Sequence, residues 1–155
     1  MAFLSTHGHY TNSYVDELIL AAVEDLRADG CTSFVIYGQC WGTNIALQAA
    51  ADERMPFLAA GGPHPSLLTV EMAEKVRCPI ILLPSKDEED LVPIVEVVVD
   101  KGFAVPSFHY RFDDQVHGWT GGRGDFSDPH QRKAIEQATE FLASFTDKVV
   151  SAASA

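Results

Sequence analysis

The chain has 155 residues, 46% of them hydrophobic and 21% charged, which is enough for one globular domain with a buried core. Its formal net charge of −11 argues against nucleic acid or an anionic membrane surface as a partner, because like charges repel. No apolar run approaches the ~18 residues that a membrane span needs, and no secretory signal is visible. We therefore predict a single soluble domain over residues 1–155.

The cysteines and histidines limit the chemistry further. Cys31, Cys40 and Cys78 are odd in number and form no CxxC pair, which favours free thiols in a reducing cytoplasm over a disulfide framework. The six histidines do not fall at a zinc-ligand spacing. We expect neither a metal nor a cofactor.

Helix-like and strand-like segments alternate along the chain, which is typical of an α/β domain with a parallel sheet. The run 79–84 is apolar without alternation, as expected for a strand that helices cover on both faces. The ends, over about 1–13 and 148–155, are predicted to be weakly ordered. In chain order we predict a helix over 14–28, a strand over 33–37, a helix over 43–51, a strand over 57–60, a helix over 70–76, a strand over 79–84, a helix over 92–101, a strand over 107–112 and a last helix capped by Asp128.

The motif Gly38-Gln39-Cys40-Trp41-Gly42 lies between a predicted strand and a predicted helix, the context of a nucleophile elbow. Its glycines are expected to prevent side-chain collisions within the sharp turn. The positive end of the following helix favours the reactive thiolate of Cys40. The backbone N–H of Trp41 is placed to stabilise an oxyanion.

Candidates for an acid and a base follow the next strands. The carboxylates of 87–90 come after the strand over 79–84, and His117 comes after the strand over 107–112. Because the carboxyl ends of parallel strands meet at one edge of a sheet, these groups are expected to converge on Cys40. The order of nucleophile, acid and histidine is that of α/β-hydrolases.

These motifs, with Pro84-Ser85-Lys86-Asp87 and His117-Gly118-Trp119 followed by Arg123-Gly124, resemble the dienelactone hydrolase family over about residues 14–147. The resemblance implies Cys40 as the nucleophile, Asp87 as the acid and His117 as the base. Asp90 stays an alternative acid, because one sequence does not determine the register of a loop. Trp119 and Arg123 are the candidate substrate-binding residues, with Gly121 at the position where the family has an arginine.

Compared with that family, the chain is predicted to be truncated at its N-terminus and to hold a partial α/β-hydrolase fold of about four mainly parallel strands. The strand over 33–37 would then lie at an edge of the sheet, where an apolar strand needs a cover. A homodimer is the predicted cover, with a higher oligomer or a partner chain as alternatives.

The function predicted from these residues is cysteine-dependent hydrolysis of a small-molecule ester or lactone. A glutamine amidotransferase also uses such an elbow, but Trp119 stands where its glutamate is expected. A hydrolase-like binding or assembly module without activity remains open, because fold does not imply function. An acyl-transfer or cyclisation enzyme that uses the same residues remains open as well.

Overall fold

The computed structural model describes residues 14–155, so the weak order predicted for 1–13 lies outside the described residues. A four-stranded sheet, parallel throughout and ordered β1-β2-β3-β4, has helices on both faces. This confirms the predicted partial α/β architecture. The elements are α1 (Val15–Ala28), β1 (Phe34–Tyr37), α2 (Trp41–Ala51), β2 (Phe57–Pro63), α3 (Val70–Ala73), β3 (Ile80–Leu83), α4 (Val92–Val99), β4 (Phe108–His109) and α5 (Pro129–Ala153).

Strand β3 lies between the two main clusters of the core. Successive side chains of a strand point to opposite faces, so Ile80 and Leu82 pack with α2 and α4. Ile81 and Leu83 pack against α5 on the other face. All four side chains are fully buried, which explains the unbroken apolar run of β3.

The last helix is longer than the sequence predicted. Instead of fraying after residue 147, α5 continues to Ala153, which corrects the prediction for this end of the chain. The cause is packing: the apolar stripe of the helix extends to Val149, which is 4% exposed and belongs to the cluster on that face of the sheet. Asp128 caps the start as predicted, because its side chain accepts a hydrogen bond from the His130 N–H.

Strand β1 is at one end of the sheet and, among residues 14–155, pairs with β2 alone. That a second copy of the chain covers this edge stays a prediction. Light scattering at micromolar concentration checks it, and a strictly monomeric species would contradict it.

Within the described part of the chain, no helix combines the length and the apolar character needed to cross a bilayer.

Candidate active site

Cys40 occupies the turn between β1 and α2, with φ 56° and ψ −124°. A non-glycine residue at positive φ is strained, and such strain is typical of a nucleophile elbow. Gly38 makes the turn possible, because a Cβ there would stand 2.2 Å from the backbone carbonyl carbon of Gly42. A Cβ on Gly42 would meet no atom within 4 Å, so the steric role predicted for the second glycine is wrong.

The Cys40 thiol contacts two polar side chains. Its Sγ lies 3.1 Å from His117 Nε2 and 3.5 Å from Ser66 Oγ. Burial raises the pKa of Cys40, but hydrogen bonds with Ser66, with His117 and with the Trp41 backbone N–H outweigh burial. The pKa of Cys40 is therefore lower than that of an ordinary thiol, which favours the nucleophilic thiolate.

His117 joins the thiol to a carboxylate. Its Nδ1 donates to Glu88 Oε1 at 2.6 Å, and the Glu88 side chain is only 6% exposed. The second oxygen of Glu88 accepts a hydrogen bond from the Ser85 N–H, so the carboxylate is held from two sides. Burial lowers the pKa of His117, but hydrogen bonds with Glu88 and Cys40 outweigh it and raise that pKa above its ordinary value.

The carboxylate that contacts the imidazole ring of His117 belongs to Glu88. This corrects the prediction that Asp87 is the acid. Asp87 accepts a hydrogen bond from the His117 backbone N–H at 2.9 Å, and it supports the histidine from outside the ring. Asp90 Oδ1 accepts from the Val92 N–H at the start of α4, so the alternative acid is also turned away from the ring. The register follows from a turn at Ser85, whose hydroxyl accepts from the Asp87 N–H.

The two predicted substrate-binding residues lie elsewhere. Trp119 is 0% exposed and packs on Phe112, with ring centroids 4.5 Å apart, so it is a core residue and lines no open pocket. The exposed Arg123 lies over the backbone of Gly118, 3.3 Å from where a Cβ would stand. The indole of Trp41 packs against a small cluster around Ile45, which leaves only the backbone N–H of Trp41 as a candidate for the site.

Two residues of the site were not predicted, and both follow β2. Ser66 contacts the thiol, and its N–H donates to the Cys40 carbonyl at 3.1 Å. His64 is 2% exposed, stands edge-on to the His117 ring at 4.9 Å between centroids and hydrogen-bonds with Thr120 Oγ1. Their position at the carboxyl end of a parallel strand is the signal that could have found them.

A cleft of about 520 Å³ opens beside the thiol. Both side chains that contact Cys40 Sγ, those of Ser66 and His117, line it. Leu67, Leu68 and Leu91 contribute apolar surface, and Asp87, Glu88 and Glu89 contribute carboxylates. Across residues 14–155, no three histidine, cysteine or acidic side chains are grouped so that they could hold a metal ion.

The sheet, the strained thiol turn and the facing histidine define a hydrolase-like α/β fold. The chain is 33% identical over 129 residues to an uncharacterized AIM2 family protein of Schizosaccharomyces pombe, a match that covers 79% of this chain and 50% of the relative. A second uncharacterized AIM2 family protein of that organism is 33% identical over 111 residues, covering 70% of this chain and 44% of the relative.

A more distant similarity links the chain to Dienlactone hydrolase 1 of Gibberella moniliformis. The two are 27% identical over 136 residues, which is 79% of this chain and 49% of the relative. No protein-family model and no solved structure matches the chain. The chain spans about half the length of the curated relatives it matches.

Proposed function

We propose that the protein is a cysteine-dependent hydrolase of esters or lactones, with Cys40 as nucleophile, His117 as base and Glu88 as the orienting acid. The observation that carries the proposal is the hydrogen-bonded chain from Cys40 Sγ to His117 Nε2 at 3.1 Å and from His117 Nδ1 to Glu88 at 2.6 Å. The distant similarity to a dienelactone hydrolase supports the same reaction class.

In the first half of the reaction, His117 Nε2 accepts the proton of Cys40 and the thiolate attacks the substrate carbonyl carbon. The Trp41 N–H, at the start of α2, stabilises the oxyanion. The C–O bond to the leaving alcohol then breaks, and His117 returns the proton to that oxygen. The product of this step is a thioester on Cys40 with the alcohol released, or still tethered when the substrate is a lactone.

In the second half, His117 draws a proton from water, whose oxygen attacks the thioester carbonyl. The C–S bond breaks, the acid leaves with the oxygen of water, and the thiol is restored with the proton from His117. Glu88 holds the Nδ1–H tautomer and stabilises the imidazolium that forms in each half. The Ser66 hydroxyl stabilises the thiolate whenever the sulfur carries charge.

A panel of p-nitrophenyl esters and lactones tests the proposal, comparing the wild type with Cys40→Ala and His117→Ala. Both variants are expected to lose activity to the uncatalysed background. Cys31→Ala is the matched control, because Cys31 is an exposed thiol and lies before β1, away from the site. Retained activity in Cys40→Ala would exclude the proposed nucleophile.

A binding or assembly module is the second candidate, favoured by the edge position of the strand that carries the thiol. Strand β1 has a pairing partner on one side only within the described residues. A neighbouring chain that pairs with that edge would lie beside the strand that leads into the Cys40 turn. An absence of turnover on the whole panel, with reactive Cys40 still present, would support the module over the enzyme.

A further inference from the structure

The cleft beside Cys40 has a wall of one charge. Asp87, Glu88 and Glu89 are consecutive and all line it, whereas the other lining residues found among 14–155 include no lysine or arginine. The wall therefore presents the exposed carboxylates of Asp87 and Glu89 to whatever enters, while the Glu88 carboxylate is bonded to His117 and the Ser85 N–H. Since the two groups that touch the sulfur line the same cleft, the charge lies next to the reacting atom.

Arg111, whose guanidinium contacts the loop that forms this wall, does not neutralise it. The Arg111 guanidinium donates to the backbone carbonyls of Glu88 and Glu89 and pairs with Asp113 at 3.3 Å. Its hydrogen bonds are thus made with the backbone of the loop and with a carboxylate outside the cleft. Arg111 holds the loop in place, and within residues 14–155 no lysine or arginine forms an ion pair with the carboxylates of the cleft.

The three carboxylates differ in how far they are compensated. Glu88 is paired with His117, and Asp87 accepts the His117 backbone N–H. The exposed Glu89 also lines the cleft, and it makes no ion pair with any residue in 14–155. A unit charge near a surface changes the local concentration of a charged ligand by on the order of fivefold.

Hydrocarbon also lines the cleft. Leu67 and Leu68 follow β2, and Leu91 precedes α4. Leu67 is 56% exposed, which leaves apolar surface for a substrate to cover. An apolar group gains free energy on contact with these leucines, and an uncharged ester or lactone meets no repulsion from the carboxylates.

We infer that the cleft selects uncharged or cationic esters and lactones with an apolar group, and that it disfavours substrates that carry a carboxylate. That the substrate is an ester or a lactone rests on the proposed function. The charge selectivity at Cys40 itself does not depend on turnover, and it is tested separately.

Alkylation of Cys40 by two reagents that differ in charge is the first test. Rates of labelling by neutral iodoacetamide and anionic iodoacetate are measured by mass spectrometry, and their ratio is taken at each cysteine. The ratio cancels the thiolate fraction, and the exposed Cys31 in the same molecule is the reference. The preference for iodoacetamide is expected to be about tenfold greater at Cys40 than at Cys31, and to shrink at high salt.

The charge of Glu89 is then changed. Glu89→Gln is expected to reduce the preference for iodoacetamide at Cys40, and Glu89→Lys to reduce it further, because the first removes a negative charge and the second also adds a positive one. The side chain is exposed, so the core is left unchanged. Glu136→Lys, on the exposed face of α5, makes the same change in net charge away from the cleft and is expected to leave the ratio unchanged. Equal ratios at Cys40 and Cys31, with no response to Glu89→Lys, would overturn the inference.

Turnover provides the second test. We expect kcat/KM for the uncharged p-nitrophenyl butyrate to exceed that for the anionic mono-p-nitrophenyl succinate by about tenfold. Glu89→Lys is expected to reduce this ratio of the two kcat/KM values. A faster reaction with the succinate would overturn the inference while leaving the hydrolase proposal intact. If no ester is cleaved but the labelling ratio holds, the proposed function fails and the selectivity of the site for uncharged ligands stands.

Discussion

The turn that carries Cys40 and the loop that carries Glu88 both follow a parallel strand and both deliver a group to His117, but different forces hold them. Steric exclusion defines the turn, since a side chain at Gly38 would overlap the backbone of Gly42. Hydrogen bonds define the loop, where Ser85, Asp87 and Glu88 bond to neighbouring backbone N–H groups and to His117. The steric limits leave the turn one backbone conformation. Each hydrogen bond of the loop contributes only about 1 kcal/mol to the stability of its conformation.

The largest expected effect is a loss of stability when the steric constraint on the turn is violated. Gly38→Ala places a Cβ 2.2 Å from the Gly42 carbonyl carbon, so the backbone must move and we expect a loss of about 3 kcal/mol or more in the free energy of unfolding. Gly42→Ala is the matched control, since its Cβ meets open space within α2. Urea unfolding should show it to be neutral or more stable by up to ~1 kcal/mol. Equal losses would refute the steric account.

The next effect separates the two carboxylates of the loop. Glu88→Gln removes the charge that faces His117 Nδ1, and we expect kcat/KM to fall by about a hundredfold or more. Asp87→Asn keeps a side-chain oxygen for the His117 backbone N–H and should cost only about threefold. Ester hydrolysis at saturating and limiting substrate measures both. If kcat/KM falls further in Asp87→Asn than in Glu88→Gln, Asp87 is the acid, as the sequence analysis predicted.

A smaller expected effect is on the pH dependence of Cys40 reactivity, which depends on the residues that contact its thiol. Because hydrogen bonds with Ser66 and His117 lower the pKa of Cys40, its thiolate should persist to lower pH than that of an ordinary thiol. The ratio of iodoacetamide labelling, Cys40 over Cys31, should therefore rise as the pH falls from about 9 to about 6. Ser66→Ala should move the Cys40 profile toward higher pH. Superimposable profiles for the two cysteines would remove the case for activation.

The difference between turn and loop also explains which predictions held. The strand, the turn and the helix around Cys40 could be read from the sequence, because glycine spacing and apolar runs are local signals. In the loop, the four adjacent carboxylates of 87–90 look alike along the chain, and a shift of one residue decides which one faces His117. That shift depends on Ser85, which forms a parallel bridge with Phe112, far along the chain.

Trp119 illustrates the same limit. Its place two residues after His117 suggested the wall of a pocket, but it packs on Phe112 in the layer between the sheet and α5. The direction of a loop side chain depends on what packs around it, and no local pattern encodes that. The continuation of α5 to Ala153 has a similar origin, because contacts of Val149 with the sheet layer hold a segment that composition alone predicts to fray.

From the sequence alone follow the α/β class, the parallel sheet of four strands and the presence of Cys40 and His117 at strand ends. These depend on periodicity and on backbone sterics, which act over a few residues. The tertiary structure decided that Glu88 faces the histidine, that Ser66 and His64 join the site, and that a cleft with an acidic wall opens beside the thiol. Each of these depends on contacts between segments that lie far apart in the chain, and such contacts exist only once the strands have assembled side by side.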